Sequence, residues 1–313
     1  MEQIIITSYV DPDLDGVACV IAYAEFLNDL GRPAIACFMG NPTAEAEFAL
    51  AKLHVPRPVS RVSFEPTERV VILDASEPVH FEGRLVSEQV IEVIDHRKVN
   101  EAYKFTNAKI QIELVGAAAT LVAEKFRDGV IKPSAESAQI LQAAIISNTQ
   151  NFQAKTTTDR DHEIMKWLGD IASLPDHFTH DMFAAKSDFT GEKLERSMDI
   201  ETATFEIAGK RLGVVQLEMV GSEALVRDRQ EEILIILDRL KTQYNLDHIF
   251  LTTLDIEAKL NRFVTADPFM QSILAEALGI TFFDKLAVRD DIIMRKEIVP
   301  LIKAVMDRMG SGL

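Results

Sequence analysis

The chain is 313 residues long, 47% hydrophobic and 26% charged, with a formal net charge of −16. This is the balance of a folded globular protein with room for two domains of ordinary size, and it excludes a disordered chain. The negative charge argues against nonspecific nucleic-acid binding, which draws its affinity from Lys and Arg on phosphates, and no apolar run reaches the roughly eighteen residues of a membrane span. The start "MEQIIIT" lacks a basic region and a cleavage site, so a cytoplasmic location is expected. Cys19 and Cys37 lie in apolar segments without metal-ligand spacing and read as small buried hydrophobes.

In chain order, "QIIITSYV" predicts a buried strand and "GVACVIAYAEFLNDLG" a helix closed by Gly31. "PAIACFM" is a second strand and "TAEAEFALAKL" a second helix; "RVVILDAS" and "EQVIEVIDHRKV" are apolar runs ending in acidic residues. "GAAATLVAEKFRDG", "SAESAQILQAAIISNT" and "RDHEIMKWLGD" predict helices, with Trp167 in the core beside Ile164 and Leu168 and His162 on an exposed face. Such alternation implies an α/β domain with a mostly parallel sheet. Past about Asp170 the pattern loosens. "SLPDHFTHDM" reads as loop, where His177 and His180 keep no ligand role, and Ser187 to Lys193 reads as a linker between domains at 1–186 and 194–313. The second unit opens with a hairpin, "TATFEIAGKRLGVVQLEMV", turning at Ala208-Gly209. The helix "SEALVRDRQEEILIILDRLKTQY", the strand "DHIFLTTLDI" and the helix "RKEIVPLIKAVMDRM" follow.

In a parallel sheet all carboxyl ends point one way, and ligands bind in the crevice beyond them. Three runs here end in metal-ligating residue types, "IIITSYVDPDLD", "VVILDAS" and "VIEVIDHR", which lets Asp13, Asp15, Asp74, Asp95 and His96 converge. A lone Asp after a strand is ordinarily a turn residue or a helix N-cap. Three acidic ends together read as a metal site, and imidazole tips the choice from Ca or Mg toward Mn, Fe, Co or Zn.

"DPDLDG", "LDAS", "DHR" and "IISNTQNFQAKTTTDRD", in this order, resemble the DHH phosphoesterases. The branch is that of the manganese-dependent (family II) inorganic pyrophosphatases and related exopolyphosphatases, including the prune-type proteins. "LGVVQLEMV", "IFLTTLDI" and "RKEIVPLI" are similar to the DHHA2 domain of that branch, so the resemblance spans nearly the whole chain. It implies a two-domain α/β fold, with a mostly parallel N-terminal sheet and a smaller mixed-sheet C-terminal domain. It implies hydrolysis of pyrophosphate or short polyphosphate by metal-activated water in an interdomain cleft. It also implies one or two Mn2+, with Mg2+ or Co2+ as alternatives, a small phosphorylated substrate and a homodimer, while charge and hydropathy lead to the expectation of no nucleic acid or membrane partner.

Residue by residue, the resemblance implies that Asp13 and Asp15 each ligate one of two metals, that Asp74 bridges both, and that His96 is a further ligand. Asp95 is implied to orient His96 or a neighbouring helix, and Asp11 is either a turn residue or a substitute ligand. Tyr9 stands where the family has a histidine ligand, Arg97 replaces the second histidine of DHH, and Asn148 replaces an aspartate ligand. Arg97 is suited to phosphate, because a guanidinium grips it bidentately. Arg295 and Lys296 lie where the family grips the electrophilic phosphate, with Met294 and Ala203 at two other positions of that clamp. The alternative expectation is a protein that keeps the fold and binds a metal or phosphorylated ligand in a regulatory role. An exonuclease ranks last, since the glycine-rich "GGGH" segment of that branch is absent.

Overall fold

The computed structural model describes residues 3–81 and 83–310. The chain divides into two compact units, residues 1–185 and 186–313.

The first unit runs β1 (Ile4–Thr7), α1 (Leu14–Asp29), β2 (Ala34–Met39), α2 (Ala44–Lys52), β3 (Val59–Arg61), β4 (Arg69–Leu73), β5 (Val90–Asp95) and β6 (Lys109–Ile112), then α3 (Ala118–Asp128), α4 (Ala135–Asn148), α5 (Asp159–Gly169) and α6 (Phe178–Lys186). Its six strands lie in the order β3-β2-β1-β4-β5-β6, and every adjacent pair is parallel. Ile4 to Thr7 and Val70 to Leu73 are buried throughout, as central strands covered on both faces require. α1 is buried on nearly all sides, and its small residues Ala18, Cys19 and Ala22 let the backbone approach the sheet. It ends at Leu30, and Gly31 takes the left-handed conformation (φ 71°) that glycine accepts at least cost. The strand order reverses between β1 and β4, so two neighbouring strands send their following loops to opposite sides. That reversal creates a crevice at their carboxyl ends.

The second unit runs α7 (Lys193–Ile200), β7 (Thr202–Ile207), β8 (Lys210–Met219), α8 (Ser222–Gln243), β9 (His248–Asp255), β10 (Leu260–Val264), α9 (Pro268–Leu278), β11 (Phe282–Phe283), β12 (Leu286–Arg289) and α10 (Arg295–Gly310). Its sheet, in the order β11-β12-β10-β9-β8-β7, is mixed: β8 and β9 are parallel, and the other pairs are antiparallel. The β7–β8 hairpin turns at Ala208 and Gly209, both with positive φ (49° and 73°), as a two-residue turn matched to strand twist demands. Phe250, Phe263, Ile273, Leu274, Ile298 and Ile302 pack one face of the sheet.

The α/β class and the parallel first sheet agree with the sequence reading. Two local expectations do not. The segment around His177 and His180 is helical from Phe178 onward, because Phe178, Met182 and Phe183 bury one face of α6. Trp167 is half-buried, whereas its neighbours Ile164 and Leu168 fill the core. Among the described residues, no helix is long and apolar enough to cross a membrane. Cys19 and Cys37 are free and buried.

Candidate metal centre

The loops after β1, β4 and β5 supply the side chains that the sequence singled out. Asp13 caps α1: its Oδ1 accepts the N–H groups of Asp15 (3.0 Å) and Gly16 (3.1 Å). Gly16 is required here by close packing, since a Cβ at this position would lie 2.7 Å from Ser8 Oγ. Asp15, in the first turn of α1, turns its carboxylate to the N-terminus of α3. Its Oδ2 accepts from Ala118 N–H and its Oδ1 from Ala119 N–H, each at 2.8 Å, with the Cys19 thiol 3.6 Å from Oδ1. Two orphan amides at a helix start are a natural seat for a carboxylate.

Asp74 directly follows β4, and its backbone is left-handed (φ 53°), an uncommon conformation for a residue other than glycine. It is 1% exposed, and neither of its carboxylate oxygens has a hydrogen-bond partner. Asp15, Asp74 and His96 each offer a ligand atom within 4.8 Å of the others. His96 Nε2 lies 3.6 Å from Asp74 Oδ1 and 3.9 Å from Asp15 Oδ2. Its Nδ1 sits 3.0 Å from the Val115 carbonyl, which holds the proton on Nδ1 and leaves the Nε2 lone pair toward the carboxylates. Asn148, the last residue of α4, donates from Nδ2 to Asp15 Oδ2 (2.6 Å) and stands 3.4 Å from His96 Nε2.

Electrostatics set this cluster apart. Burial, reinforced by the charges of Asp15 and Asp13, raises the Asp74 carboxyl well above the usual carboxylate range. Burial pushes Asp15 up to about 6, opposed by the attraction of His96. A buried carboxylate without a partner is costly as an anion. Two carboxylates and an imidazole ring nitrogen form a donor set that fits one divalent cation, with the Asn148 amide nitrogen bridging Asp15 and His96.

The remaining predicted residues lie around or beyond this cluster. Asp13 stands outside it, as the N-cap. Asp11 is exposed, and its Oδ1 accepts the Asn41 N–H at 2.7 Å, a contact between the loops after β1 and β2. Asp95 is fully buried; it accepts the His96 backbone N–H (2.7 Å) and a short bond from Ser76 Oγ, so it positions the His96 backbone rather than its ring. Arg97 donates from Nη1 to the Asp74 carbonyl (2.8 Å), with its guanidinium 5.5 Å from the centre of the Tyr9 ring. Tyr9 accepts the Asp13 N–H on its hydroxyl (3.1 Å).

In the second unit, Arg295 begins α10 and donates from Nη1 to the carbonyls of Glu201 (2.6 Å) and Val214 (3.3 Å), while Lys296 is exposed. Sequence reasoning missed Ser76, the Val115 carbonyl and the α3 amides. Their signal was the run "GAAAT", whose small side chains let the start of α3 approach Asp15. A cavity of about 740 Å³ lies elsewhere in the first unit, beside Arg69, Lys109 and Lys125, and none of the candidate residues lines it.

Comparison with known proteins agrees with this architecture. Residues 3–146 match the model of the DHH family, N-terminal domain, and residues 180–305 match the DHHA2 domain. The chain joins a DHH N-terminal domain to a DHHA2 domain. A manganese-dependent inorganic pyrophosphatase of Bacillus subtilis is 27% identical to this DHH protein over 310 residues, covering 98% of this chain and 99% of the relative. A probable manganese-dependent inorganic pyrophosphatase of Clostridium acetobutylicum is 27% identical over 309 residues, covering 97% and 99%. The crystal structure of a proposed family II inorganic pyrophosphatase from Methanococcus jannaschii superposes with a TM-score of 0.68 at 23% identity. It covers 97% of this chain and 99% of its own, and it shows the shared fold.

Proposed function

We propose that this DHH protein is a metal-dependent hydrolase of phosphoanhydride bonds, acting on inorganic pyrophosphate or short polyphosphate. One observation carries the reading. Asp74 is a buried carboxylate with no hydrogen-bond partner, placed beside Asp15 and 3.6 Å from the Nε2 of His96. Manganese is the metal that suits an oxygen-rich set with one imidazole, and it is the metal named for the similar pyrophosphatases.

Asp15, Asp74 and His96 hold the ion, and Asn148 fixes Asp15 and His96 relative to each other. When bound, a divalent ion supplies Lewis acidity for phosphoryl oxygens and acidifies water toward a pKa of about 7. The protein does the rest. The Val115 carbonyl keeps the His96 proton away from the ion, and the α3 amides hold Asp15 in place. Arg97 presents a fixed positive charge for substrate phosphate, and Lys296 is an exposed cation of the second unit suited to an anion. Residues 1–186 then carry the metal chemistry and residues 194–313 the phosphate grip, in a homodimer.

The test is phosphate release from pyrophosphate and tripolyphosphate by the full chain loaded with Mn2+. Turnover of about 1 s−1 or more, an ordinary enzymatic rate, is expected. A protein that binds Mn2+ but releases no phosphate from either substrate is instead a binding protein on a hydrolase scaffold, the reading that Tyr9 and Asn148 favour.

A further inference from the structure

The family resemblance implies a second ion on the other flank of Asp74, between the positions of Tyr9 and Asp13. In this chain the flank is built differently. Tyr9 brings a phenol, neutral near pH 7, whose oxygen already accepts the Asp13 N–H at 3.1 Å. Asp13 uses Oδ1 for two amides at the start of α1. The Arg97 guanidinium lies beside Asp74 and the Tyr9 ring, fixed on several sides. Nη1 donates to the Asp74 carbonyl at 2.8 Å and lies 3.9 Å from Asp95 Oδ2, Nη2 is 3.6 Å from Asp74 Oδ1, and the group rests over the Tyr9 ring. Asp74 Oδ1 is therefore equidistant, at 3.6 Å, from His96 Nε2 and from Arg97 Nη2.

We propose that this centre takes one divalent ion, on Asp15, Asp74 and His96, and that the Arg97 guanidinium is its built-in second cation. The inference rests on the metal reading given above. A second divalent ion on that flank would face a permanent positive charge and a neutral phenol whose oxygen already accepts an N–H, with Asp13 Oδ2 as the one anionic oxygen those two side chains leave out of hydrogen bonds. Tyr9 and Arg97 belong together: the ring that replaces a ligand is also the surface on which the guanidinium lies, and cation and aromatic face attract. A guanidinium cannot dissociate and presents paired N–H donors, so it serves phosphate oxygens without depending on metal supply. It brings no second Lewis acid, so the metal dependence of this protein is that of a single site.

The test is a Mn2+ titration of the chelator-treated full chain, followed by loss of the free-ion EPR signal, which reads occupancy and not activity. About one ion per chain is expected for the wild type and for Arg97→Gln, and about two for the double variant Tyr9→His with Arg97→His. Two ions of comparable affinity in the wild type would overturn the inference while leaving the metal reading intact, and this outcome does not need any variant to fold. No ion at all in the wild type would overturn the metal reading itself. A folded double variant that still binds one ion would show that Tyr9 and Arg97 do not exclude the second.

Discussion

Each unit ends a buried parallel strand on an aspartate, and the two aspartates have opposite surroundings. Asp255 closes β9, is 3% exposed, and is fully engaged. Its Oδ2 accepts from Ser222 N–H and Ser222 Oγ, each at 2.8 Å, its Oδ1 accepts from Ala258 N–H at 3.0 Å, and Arg262 lies 3.7 Å away. Asp74 follows β4, is 1% exposed, and has no hydrogen bond to either oxygen. Asp161, in the same unit as Asp74, resembles Asp255: it accepts from Gly116 N–H, Thr120 Oγ1, and both N–H and Oγ1 of Thr158. Asp161 and Asp255 hold the fold together. Asp74, with no hydrogen bond to either oxygen, is the open position of the centre, beside an Asp15 that also accepts the α3 amides and Asn148.

The sharpest way to break this contrast is to neutralise each aspartate in turn. Asp74→Asn should lower Mn2+-dependent pyrophosphate hydrolysis by about 10³-fold or more, since the bound ion is worth several kcal/mol of transition-state stabilisation. The metal-free melting temperature should stay the same or rise, because the substitution removes a buried carboxylate that no hydrogen bond satisfies. A large fall in metal-free stability would place Asp74 with the structural aspartates. Asp161→Ala and Asp255→Ala should do the reverse. Each strands several buried donors, and Asp255→Ala also leaves Arg262 uncompensated, for a loss of about 3–5 kcal/mol. Thermal unfolding would register that loss, while the surviving folded protein keeps its Mn2+ stoichiometry.

In sequence these residues look alike. "VILDAS" and "TTLDI" are both apolar strands ending in Asp, and nothing in the letters says that Ser222 and Arg262 meet one and not the other. The convergence of Asp15, Asp74 and His96 was legible, because parallel strands must deliver their loops to one edge and three of them carried ligand types. The division of labour between Asp13 and Asp15 was not: both precede a helix, and which one caps it depends on backbone dihedrals. Nor was the clamp on Asp15 by Ala118 and Ala119, more than a hundred residues away. β3 and β6 escaped notice for a simpler reason. They are short edge strands, and "KIQI" is exposed or half-exposed along its length, so no apolar run marks it.

The same contrast has a pH signature. Asp15 and Asp74 hold a proton more tightly in the folded chain than in the unfolded one. Without metal, their contribution to stability is therefore present below the ordinary carboxylate range near 4. It is lost as pH rises through about 6 for Asp15 and higher still for Asp74. A divalent ion competes with those protons. The rise in melting temperature on adding Mn2+ should be small at pH 5 and grow toward pH 7.5. At a hundredfold excess over Kd the ion adds about 2.7 kcal/mol, which corresponds to a shift of roughly 5–10 °C in a unit of this size. A shift of equal size at both pH values would mean that the ion binds without displacing protons, and so away from Asp15 and Asp74.

The smallest effects separate two cations that adjoin in sequence. "MRKEIVPLI" presents Arg295 and Lys296 as equal candidates for phosphate, but the fold treats them differently. Arg295 is half-buried and binds the Glu201 and Val214 carbonyls, tying the start of α10 to β8 and to the residue before β7. Lys296 is exposed. Arg295→Ala should cost about 1–2 kcal/mol, the ordinary worth of such bonds, seen as a melting temperature lowered by a few degrees. Lys296→Ala should leave melting unchanged and raise KM for pyrophosphate severalfold. If Arg295→Ala instead weakens substrate binding without lowering the melting temperature, then the two carbonyls hold the guanidinium only loosely, and both cations face the anion.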